Sequence, residues 1–174
     1  MAIETNLEQL IFFAKNKQDE NKAFQTHLQN LESTEIDNSV MQLNDLITPQ
    51  IDCTKCGNCC RSLMINVSEQ EANQVADHLK LTRLEFDNRY IEKGFGNDMI
   101  LNTIPCHFLS ESSCTIYSNR FNGCREFPAL HIPGFNKRLF TIFMHYDRCP
   151  IIYNVVEHLK IAVAFEFKKE AQSS

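Results

Sequence analysis

The sequence predicts an α+β fold, rich in helix, with a small cysteine-cluster domain and an N-terminal helical extension. Apolar residues recur every three or four positions at both ends of the chain, a spacing typical of amphipathic helices. Short runs rich in β-branched and aromatic residues lie between these ends and indicate strands. All eight cysteines also fall between residues 53 and 149. We therefore divide the chain into a helical extension, residues 1–50, and a cysteine-cluster domain, residues 51–174, which ends in a helix.

The helical pattern is clearest at the two ends of the chain. Residues 4–32 carry apolar side chains at helical spacing and no Gly or Pro, although Lys17 and Asn21 interrupt the apolar stripe. Residues 35–47 continue the pattern up to a proline, which disfavours helix in the residue before it. Residues 150–168 repeat the same spacing. We expect one long helix, a second helix and a final helix in these three segments.

Local signals predict the elements between them. Ser68-Glu-Gln-Glu71 and Thr82-Arg-Leu-Glu85 are capping boxes, in which a hydroxyl and a carboxylate satisfy the first backbone groups of a helix. Each box should begin a helix. Gly94-Phe-Gly-Asn97 is typical of a turn. Short strands are predicted over residues 63–67, 99–101 and 138–144.

Composition limits the environment and the partners. The net charge of −5 is spread along the chain, so no basic patch predicts binding to nucleic acid. The N-terminus lacks a basic signal region, and no apolar run is long enough to span a membrane. We therefore expect a cytoplasmic protein, whose thiols stay reduced. Metal binding is then favoured over a disulfide framework, although eight cysteines leave the disulfide alternative open.

The cysteines form two sets with metal-ligand spacing. The first set is Cys53-x-x-Cys56-x-x-Cys59-Cys60, and the second is spread more widely over Cys106, Cys114, Cys124 and Cys149. Soft thiolates suit zinc or an iron–sulfur cluster and make magnesium or calcium implausible. Three thiols at successive x-x spacing with a remote fourth match the ligands of bacterial [4Fe–4S] ferredoxins. The spacing favours a [4Fe–4S] cluster and leaves zinc open.

Residues near the cysteines add to this interpretation. Vicinal Cys59 and Cys60 do not fit comfortably on one ion, so one of them should face another partner. Arg120 and Arg125 lie within the second set, where guanidinium donors would stabilise a negatively charged cluster and tune its potential. Surface salt bridges are the alternative role for both arginines. His107 adjoins Cys106 and is the one histidine considered as a substitute ligand.

These motifs resemble a known family, the YkgJ-type cysteine-cluster proteins, which are described as zinc- or iron-chelating. The resemblance covers roughly residues 51–150. This chain has Arg120-Phe121 where the family usually has Arg-Pro. The matching segments are Cys53-x-x-Cys56-Gly57-x-Cys59-Cys60, Pro105-Cys106-x-Phe108-Leu109, and Cys114-x-Ile116-Tyr117-x-x-Arg120-x-x-x-Cys124-Arg125-x-Phe127-Pro128, followed by Cys149.

The resemblance implies a bound metal and leaves the activity open. If the metal is an iron–sulfur cluster, we expect electron transfer or a redox-linked modification step. The first alternative is a non-catalytic, zinc-stabilised module whose N-terminal helices bind a protein partner. The second is a protein-modifying enzyme, because a branch related to the family includes flagellin lysine methylases. The sequence contains no recognisable cofactor-binding motif that supports methyl transfer.

Overall fold

The structure is a computed structural model that describes residues 2–94, 96 and 98–168. It is α+β and rich in helix, as predicted. None of the helices in these ranges has the length and hydrophobicity that a bilayer-spanning segment needs. The helices are α1 Leu7–Asn16, α2 Gln18–Gln29, α3 Ser33–Ile47, α4 Cys53–Cys56, α5 Glu69–Leu79, α6 Arg83–Tyr90, α7 Asn122–Glu126, α8 Leu139–Met144 and α9 Pro150–Ala162. The strands are β1 Asn66–Val67, β2 Ile91–Lys93, β3 Met99–Leu101, β4 Leu109–Ser110 and β5 Ser113–Cys114.

The chain forms two compact units. The first, here called the helical unit, comprises Met1–Ile51 and Pro128–Ser174, and the second, the cysteine unit, comprises Asp52–Phe127. The expected boundary near residue 50 coincides with the end of the first segment. The C-terminal part of the chain, which we expected to belong with the cysteines, groups with the N-terminal helices instead. The physical reason is that α9 packs along α3.

Apolar burial holds the helical unit together. The inner faces of α3 and α9 contribute Ile36, Val40, Val155 and Leu159, all of which are almost fully buried. The backbone N–H groups of Gly134 and Phe135 donate to the carboxylate of Asp37 on α3. Gly134 lies just before the short 3-10 turn Phe135–Lys137, and Phe135 begins it. This carboxylate therefore fixes the chain that enters α8.

The polar interruption of the N-terminal stripe is a buried ion network. The ammonium group of Lys160, which is 5% exposed, donates to Glu20 Oε1 and Asn21 Oδ1 at 2.7 Å each. It also lies 2.7 Å from Glu157 Oε1, and Glu157 pairs in turn with Lys17. Burial raises the pKa of Glu157, but its hydrogen bonds and ion pairs outweigh burial and lower that pKa. The two polar positions thus provide specific partners for charges that α9 buries.

The predicted helix over residues 4–32 is two helices in the structure. Lys17 separates α1 from α2 with φ −104° and ψ 17°, outside helical values. Its backbone N–H still donates to Phe13 O, and Asn21 N donates to Lys17 O, so the interruption is a single residue. The sequence carries no proline or glycine there to signal the break.

The strand predicted over residues 138–144 is wrong, because this segment forms α8. Leu139 and Ile142 are buried three residues apart, whereas Phe140 between them is 81% exposed. The N–H of Ile142 donates to Arg138 O at 3.1 Å, a helical bond. Packing of one helical face has overridden the strand propensity of these residues.

The last helix ends at Ala162, six residues before the predicted end. Ala164 has a positive φ of 49°, and the N–H groups of Ala164 and Phe165 donate to Ile161 O and Lys160 O. This is a Schellman cap, whose left-handed position is usually occupied by Gly. With alanine there, the sequence gives no local stop signal.

The cysteine unit combines a three-stranded sheet and the β4–β5 hairpin with the helices α4 to α7. The sheet is antiparallel in the order β1-β3-β2, with Asn66 opposite Ile100 and Ile91 opposite Leu101. Both predicted capping boxes are present, at the starts of α5 and α6. Strand β3 agrees with the prediction, whereas the strand expected over residues 63–67 is limited to β1.

The core of the cysteine unit is formed by residues of the sheet, of α5 and α6, and of the later segments of the unit. The turn predicted at Gly94–Asn97 includes positions outside the described residues. The apolar core residues are Ile65, Val67, Ala72, Val75, Ala76, Phe86, Tyr90, Met99, Leu101, Phe108, Ile116 and Phe121.

Candidate metal centre

The first cysteine loop begins with one helical turn. Asp52 caps α4 by accepting hydrogen bonds from the N–H and hydroxyl of Thr54 at 3.0 and 2.6 Å. Gly57 ends the turn in the left-handed conformation, with φ 59°, and its N–H donates to Cys53 O. The next residues, Cys59–Arg61, form a 3-10 turn. The chain thus reverses direction just after Cys56.

Gly57 also allows the close approach of a second segment. A Cβ atom at this position would lie 2.6 Å from the carbonyl oxygen of Ser112, which no side chain tolerates without a backbone shift. Ser112 lies in the turn of the hairpin formed by β4 and β5. The hydroxyl of Ser113 donates to Thr54 O at 3.1 Å and fixes the same contact. The hairpin that carries Cys114 is therefore held against α4.

Arg61 joins the two segments from the other side. Its guanidinium donates to Cys56 O at 3.0 Å and to Glu111 O in the hairpin turn. Both acceptors are backbone carbonyl groups, so the contact fixes the loop path. The role of Arg61 was not predicted. Its position directly after Cys60 is the one feature of the sequence that indicates a role near the thiols.

The remaining cysteines of the unit approach from three segments. The N–H of Cys106 donates to Cys60 O at 2.8 Å. Cys114 ends strand β5, and Cys124 lies in the short helix α7. The first N–H of α7, from Asn122, donates to Glu71 Oε1 at 2.5 Å. Glu71 therefore caps α5 with one oxygen and positions the helix of Cys124 with the other.

Four of the thiols influence one another's pKa, and this holds for each pair among the four. Burial and the charges of Cys106, Cys60 and Cys114 raise the pKa of Cys124. Burial and the charges of Cys60 and Cys114 raise that of Cys106, and burial and the charge of Cys60 raise that of Cys114. All six pairs among these four residues are thus close enough to interact. We call Cys60, Cys106, Cys114 and Cys124 the Cys60 quartet.

Burial sets the protonation of the quartet. Cys106, Cys114 and Cys124 pack against the apolar core of the unit, and the pKa of Cys124 is raised to about 12. Cys60 differs, because a hydrogen bond from Cys59 and the charge of Arg61 lower its pKa to about 6. Burial thus favours the protonated thiol at Cys106, Cys114 and Cys124, and a bound cation must displace those protons.

Backbone groups are already directed at two of the sulfurs. The N–H of Phe108 donates to the sulfur of Cys106, and the N–H of Ile116 donates to that of Cys114. Each bond favours the thiolate and so lowers the pKa against the effect of burial. In both cases the N–H of the residue two positions after the cysteine stabilises the thiolate, which is the form that binds a metal.

The other cysteines lie outside the quartet. Cys53 is exposed and Cys56 is half-buried at the two ends of α4. Burial and the charges of Cys56 and Asp52 raise the pKa of Cys53, and Cys60 acts on it more weakly. Cys149 is buried in the helical unit and precedes Pro150 at the start of α9. The structure thus gathers seven of the eight predicted ligands in one unit.

The two predicted arginines take different positions. The charge of Arg120 lowers the pKa values of Cys53, Cys114 and Cys124, and its guanidinium carbon lies 3.9 Å from the ring centroid of Tyr117. Arg125 donates instead to backbone oxygens, at 2.9 Å to Arg120 O and 2.7 Å to Ser118 O. The charge of Arg120 therefore acts on the thiols, whereas Arg125 holds the backbone of the loop that carries Arg120.

Two further sequence features have clear positions. Phe121, which replaces the family proline, has φ −59°, a value that proline also adopts, and its ring is buried near Phe108. The turn thus keeps the conformation that proline would impose. His107 Nε2 lies 2.6 Å from Asn102 Oδ1, and its ring packs edge-on against Tyr90. These contacts give His107 a structural role.

The donor set fits a thiophilic metal. All eight cysteines lie in the described part of the chain, and none is in a disulfide. Thiolate sulfurs suit zinc and iron–sulfur clusters. Among the described residues, however, no three His, Cys, Asp or Glu side chains are arranged to hold a single metal ion. The cysteine unit therefore has donors of the right kind in one part of the chain.

Comparison with known proteins agrees with this chemistry. Residues 52–150, more than half of the chain, match the model of a family described as "CxxCxxCC: Putative zinc- or iron-chelating domain". The chain belongs to this family, as its cysteine spacing predicted. Membership supports metal binding through the cysteines. Searches of curated proteins and of solved structures found no match.

Proposed function

We propose that the cysteine unit holds an iron–sulfur cluster, preferably [4Fe–4S], on Cys60, Cys106, Cys114 and Cys124. The cluster would serve electron transfer or a redox-linked modification step. The observation that carries this proposal is the Cys60 quartet, in which every pair of thiols interacts. Four cysteine thiolates are the usual ligand set of such clusters.

The arrangement of donors in the described residues favours a cluster over a single zinc ion. Four sulfurs at about 2.3 Å from one tetrahedral zinc lie about 3.8 Å from each other. In the described residues, no three donors converge in this way. A polynuclear cluster separates its ligand sulfurs more widely, because each sulfur binds a different iron. A set of interacting but unconverged thiols fits that requirement.

The surrounding residues would control the properties of the cluster. When bound, an iron–sulfur cluster accepts and donates single electrons. Phe108 and Phe121 lie in the core against which three of the ligands pack, and they exclude water from that side. The positive charge of Arg120 favours the charged form of Cys114 and Cys124. These residues would hold the four thiolates in a dry and electrostatically balanced pocket.

The decisive test is the metal content of protein purified without oxygen. We expect iron and acid-labile sulfide together with a broad absorption band in the visible range. The Cys60→Ser variant should lose both iron and sulfide, whereas Cys149→Ser should keep them because the quartet is complete without Cys149. A colourless wild-type protein that contains neither iron nor sulfide would overturn the proposal.

A second function deserves the same measurement. Four cysteines are also the complete ligand set of a closed structural zinc site. Ile11 and Phe12 on α1 are 55% and 59% exposed and give the helical unit an apolar surface for a protein partner. A zinc-stabilised, non-catalytic binding module would contain about one zinc per chain and no sulfide. That result would replace the redox proposal with this one.

A further inference from the structure

The carboxylate of Glu71 connects helix α5 to the segment that carries Cys124. Its Oε2 atom accepts hydrogen bonds from the N–H and hydroxyl of Ser68, at 2.9 and 2.6 Å, which complete the capping box of α5. Its Oε1 atom accepts from the N–H of Asn122, two residues before Cys124, at 2.5 Å. We propose that Glu71 is a positioning residue of the metal centre, which holds Cys124 in place and slows release of the metal. The inference deepens the proposed function and rests on it in one respect, that Cys124 is a ligand.

The charge of Glu71 strengthens this link. Burial raises the pKa of Glu71, but hydrogen bonds from the Asn122 N–H and from Ser68, together with the charge of Arg125, outweigh burial and lower that pKa. The carboxylate is therefore ionised at neutral pH. A hydrogen bond to an ionised acceptor is roughly twice as strong as one between neutral groups. Glu71 thus joins α5, which packs in the core, to the segment of Cys124 by a charge-assisted bond.

A second contact joins α5 to the same segment. The Nδ2 atom of Asn119 lies 3.1 Å from Nδ1 of His78, near the other end of α5. The N–H of Cys124 donates to Phe121 O at 3.0 Å, so a shift of the segment would move the thiol with it. Removing residues that orient metal ligands typically weakens metal binding by about 10–100-fold. The two contacts with α5 therefore restrict where the sulfur of Cys124 can bind.

Glu85 is the matched control for Glu71. It accepts from the N–H and hydroxyl of Thr82 at 2.7 and 2.6 Å and caps α6 in the same way. Both of these bonds use its Oε2 atom, and its Oε1 atom accepts none from the described part of the chain. Glu71→Ala and Glu85→Ala therefore remove the same kind of helix cap. Only Glu71→Ala also removes a contact with the segment of a proposed ligand.

A second variant removes the donor and leaves both capping boxes intact. Asn122 is the first residue of α7, a position that suits proline because its N–H has no partner within the helix. Phe121 before it has φ −59° and ψ 153°, close to the polyproline II values that a following proline favours. Asn122→Pro should therefore keep the fold and delete the hydrogen bond to Glu71.

Release of the metal into excess EDTA tests the proposal, whether the purified protein holds iron or zinc. We expect release to be at least about ten times faster in Glu71→Ala and in Asn122→Pro than in the wild type, and unchanged in Glu85→Ala. The Glu71→Ala/Asn122→Pro double variant should release metal no faster than either single variant, because both changes remove the same bond. Coupling is reciprocal, so metal should slow hydrogen exchange at the Asn122 amide in the wild type but not in Glu71→Ala.

Each outcome bears on a different step. Release at the wild-type rate in Asn122→Pro, or equally fast release in Glu85→Ala and Glu71→Ala, would overturn the inference. Retention of metal by Cys124→Ser would overturn its premise, that Cys124 is a ligand. Zinc in place of iron and sulfide would overturn the iron–sulfur proposal alone, because the release experiment applies to either metal.

Discussion

The helical unit and the cysteine unit are stabilised by different means. In the helical unit, α3 and α9 bury long apolar side chains, and the charges that α9 buries have partners within the unit. In the cysteine unit, three half-buried thiols pack against the core, and one of them, Cys106, lies outside any helix or strand. The helical unit thus has an apolar core and paired charges, whereas the core of the cysteine unit is bordered by thiols that can bind a metal.

This difference indicates where the metal matters. A buried thiol that must become a thiolate is unfavourable until a cation compensates its charge. Binding energy at such a site contributes directly to folding. We therefore expect the stability of the cysteine unit to depend on metal and the stability of the helical unit to be independent of it.

The largest expected effect compares one cysteine from each unit. Cys60→Ser removes a member of the quartet and should abolish metal binding, because a four-thiol site cannot close with three. Hydrogen exchange should then become fast in α5, α6 and β3 and remain slow in α3 and α9. Cys149→Ser, in the helical unit, is the matched control and should retain the metal. Equal metal loss in both variants would contradict the assignment of Cys60.

The second effect tests the helical unit alone. Lys160→Met leaves Glu20 and Glu157 without the ammonium group between them, and breaking such a buried pair costs about 3–5 kcal/mol. Denaturant unfolding, followed by exchange in α9, measures the loss. Lys22→Met is the matched control, since its pair with Asp19 is 4.0 Å long and exposed and should contribute at most about 0.5 kcal/mol. Metal content should stay unchanged in both variants.

Acid should also destabilise the helical unit through Glu157. The pKa of this carboxyl is lower in the folded protein than its ordinary value of 4.5. Its stabilising effect is therefore fully present above pH 4.5 and is lost as the pH falls through the folded-state pKa. The free energy of unfolding should decrease below that pH in the wild type and more weakly in Glu157→Gln. Parallel acid profiles would show that Glu157 does not contribute.

Gly57→Ala tests the contact between the two parts of the cysteine unit. A non-glycine residue at a positive φ costs about 1–3 kcal/mol, and the contact with the Ser112 carbonyl adds to that cost. Gly96→Ala is the control, because φ there is +78° but a Cβ meets no atom within 4 Å. We expect Gly57→Ala to lower both stability and metal affinity, and Gly96→Ala to lower stability by the backbone strain alone. Similar effects at both positions would mean that the Ser112 contact is unimportant.

Local chemistry explains which elements the sequence predicts correctly. The capping boxes at Ser68 and Thr82 are present because their donors and acceptors lie within four residues of each other. Gly57 takes the left-handed conformation, which glycine adopts without steric cost. Such features depend on a few consecutive residues, so the sequence alone contains the information.

Long-range packing accounts for what the sequence does not predict. The segment of α8 has strand-forming residues, but its burial in the helical unit selects a helix. The end of α9 at an alanine in the left-handed conformation has no signal in residue type. Glu71 reaches Asn122 across 51 positions, a contact that no local pattern indicates.

The metal centre was likewise predicted in part from the sequence. Cysteine spacing predicts metal binding and the family, and the family match supports the first and confirms the second. It does not show which of Cys59 and Cys60 faces the other thiols, because adjacent side chains differ only in direction. That assignment depends on the hydrogen bond between Cys106 N and Cys60 O and on the electrostatic interactions of the quartet. It stays a proposal until the variants are measured.

The smallest expected effect separates two arginines in the cysteine unit. Arg120→Gln removes a charge that lowers the pKa values of Cys53, Cys114 and Cys124, so these values should rise. Because the quartet must release protons to bind metal, uptake should shift to higher pH while the fold is retained. Arg125→Gln is the control, since its guanidinium binds backbone oxygens of Arg120 and Ser118. Metal binding titrated across pH should shift in the first variant only, and an equal shift in both would mean that loop position, rather than the charge of Arg120, controls the thiols.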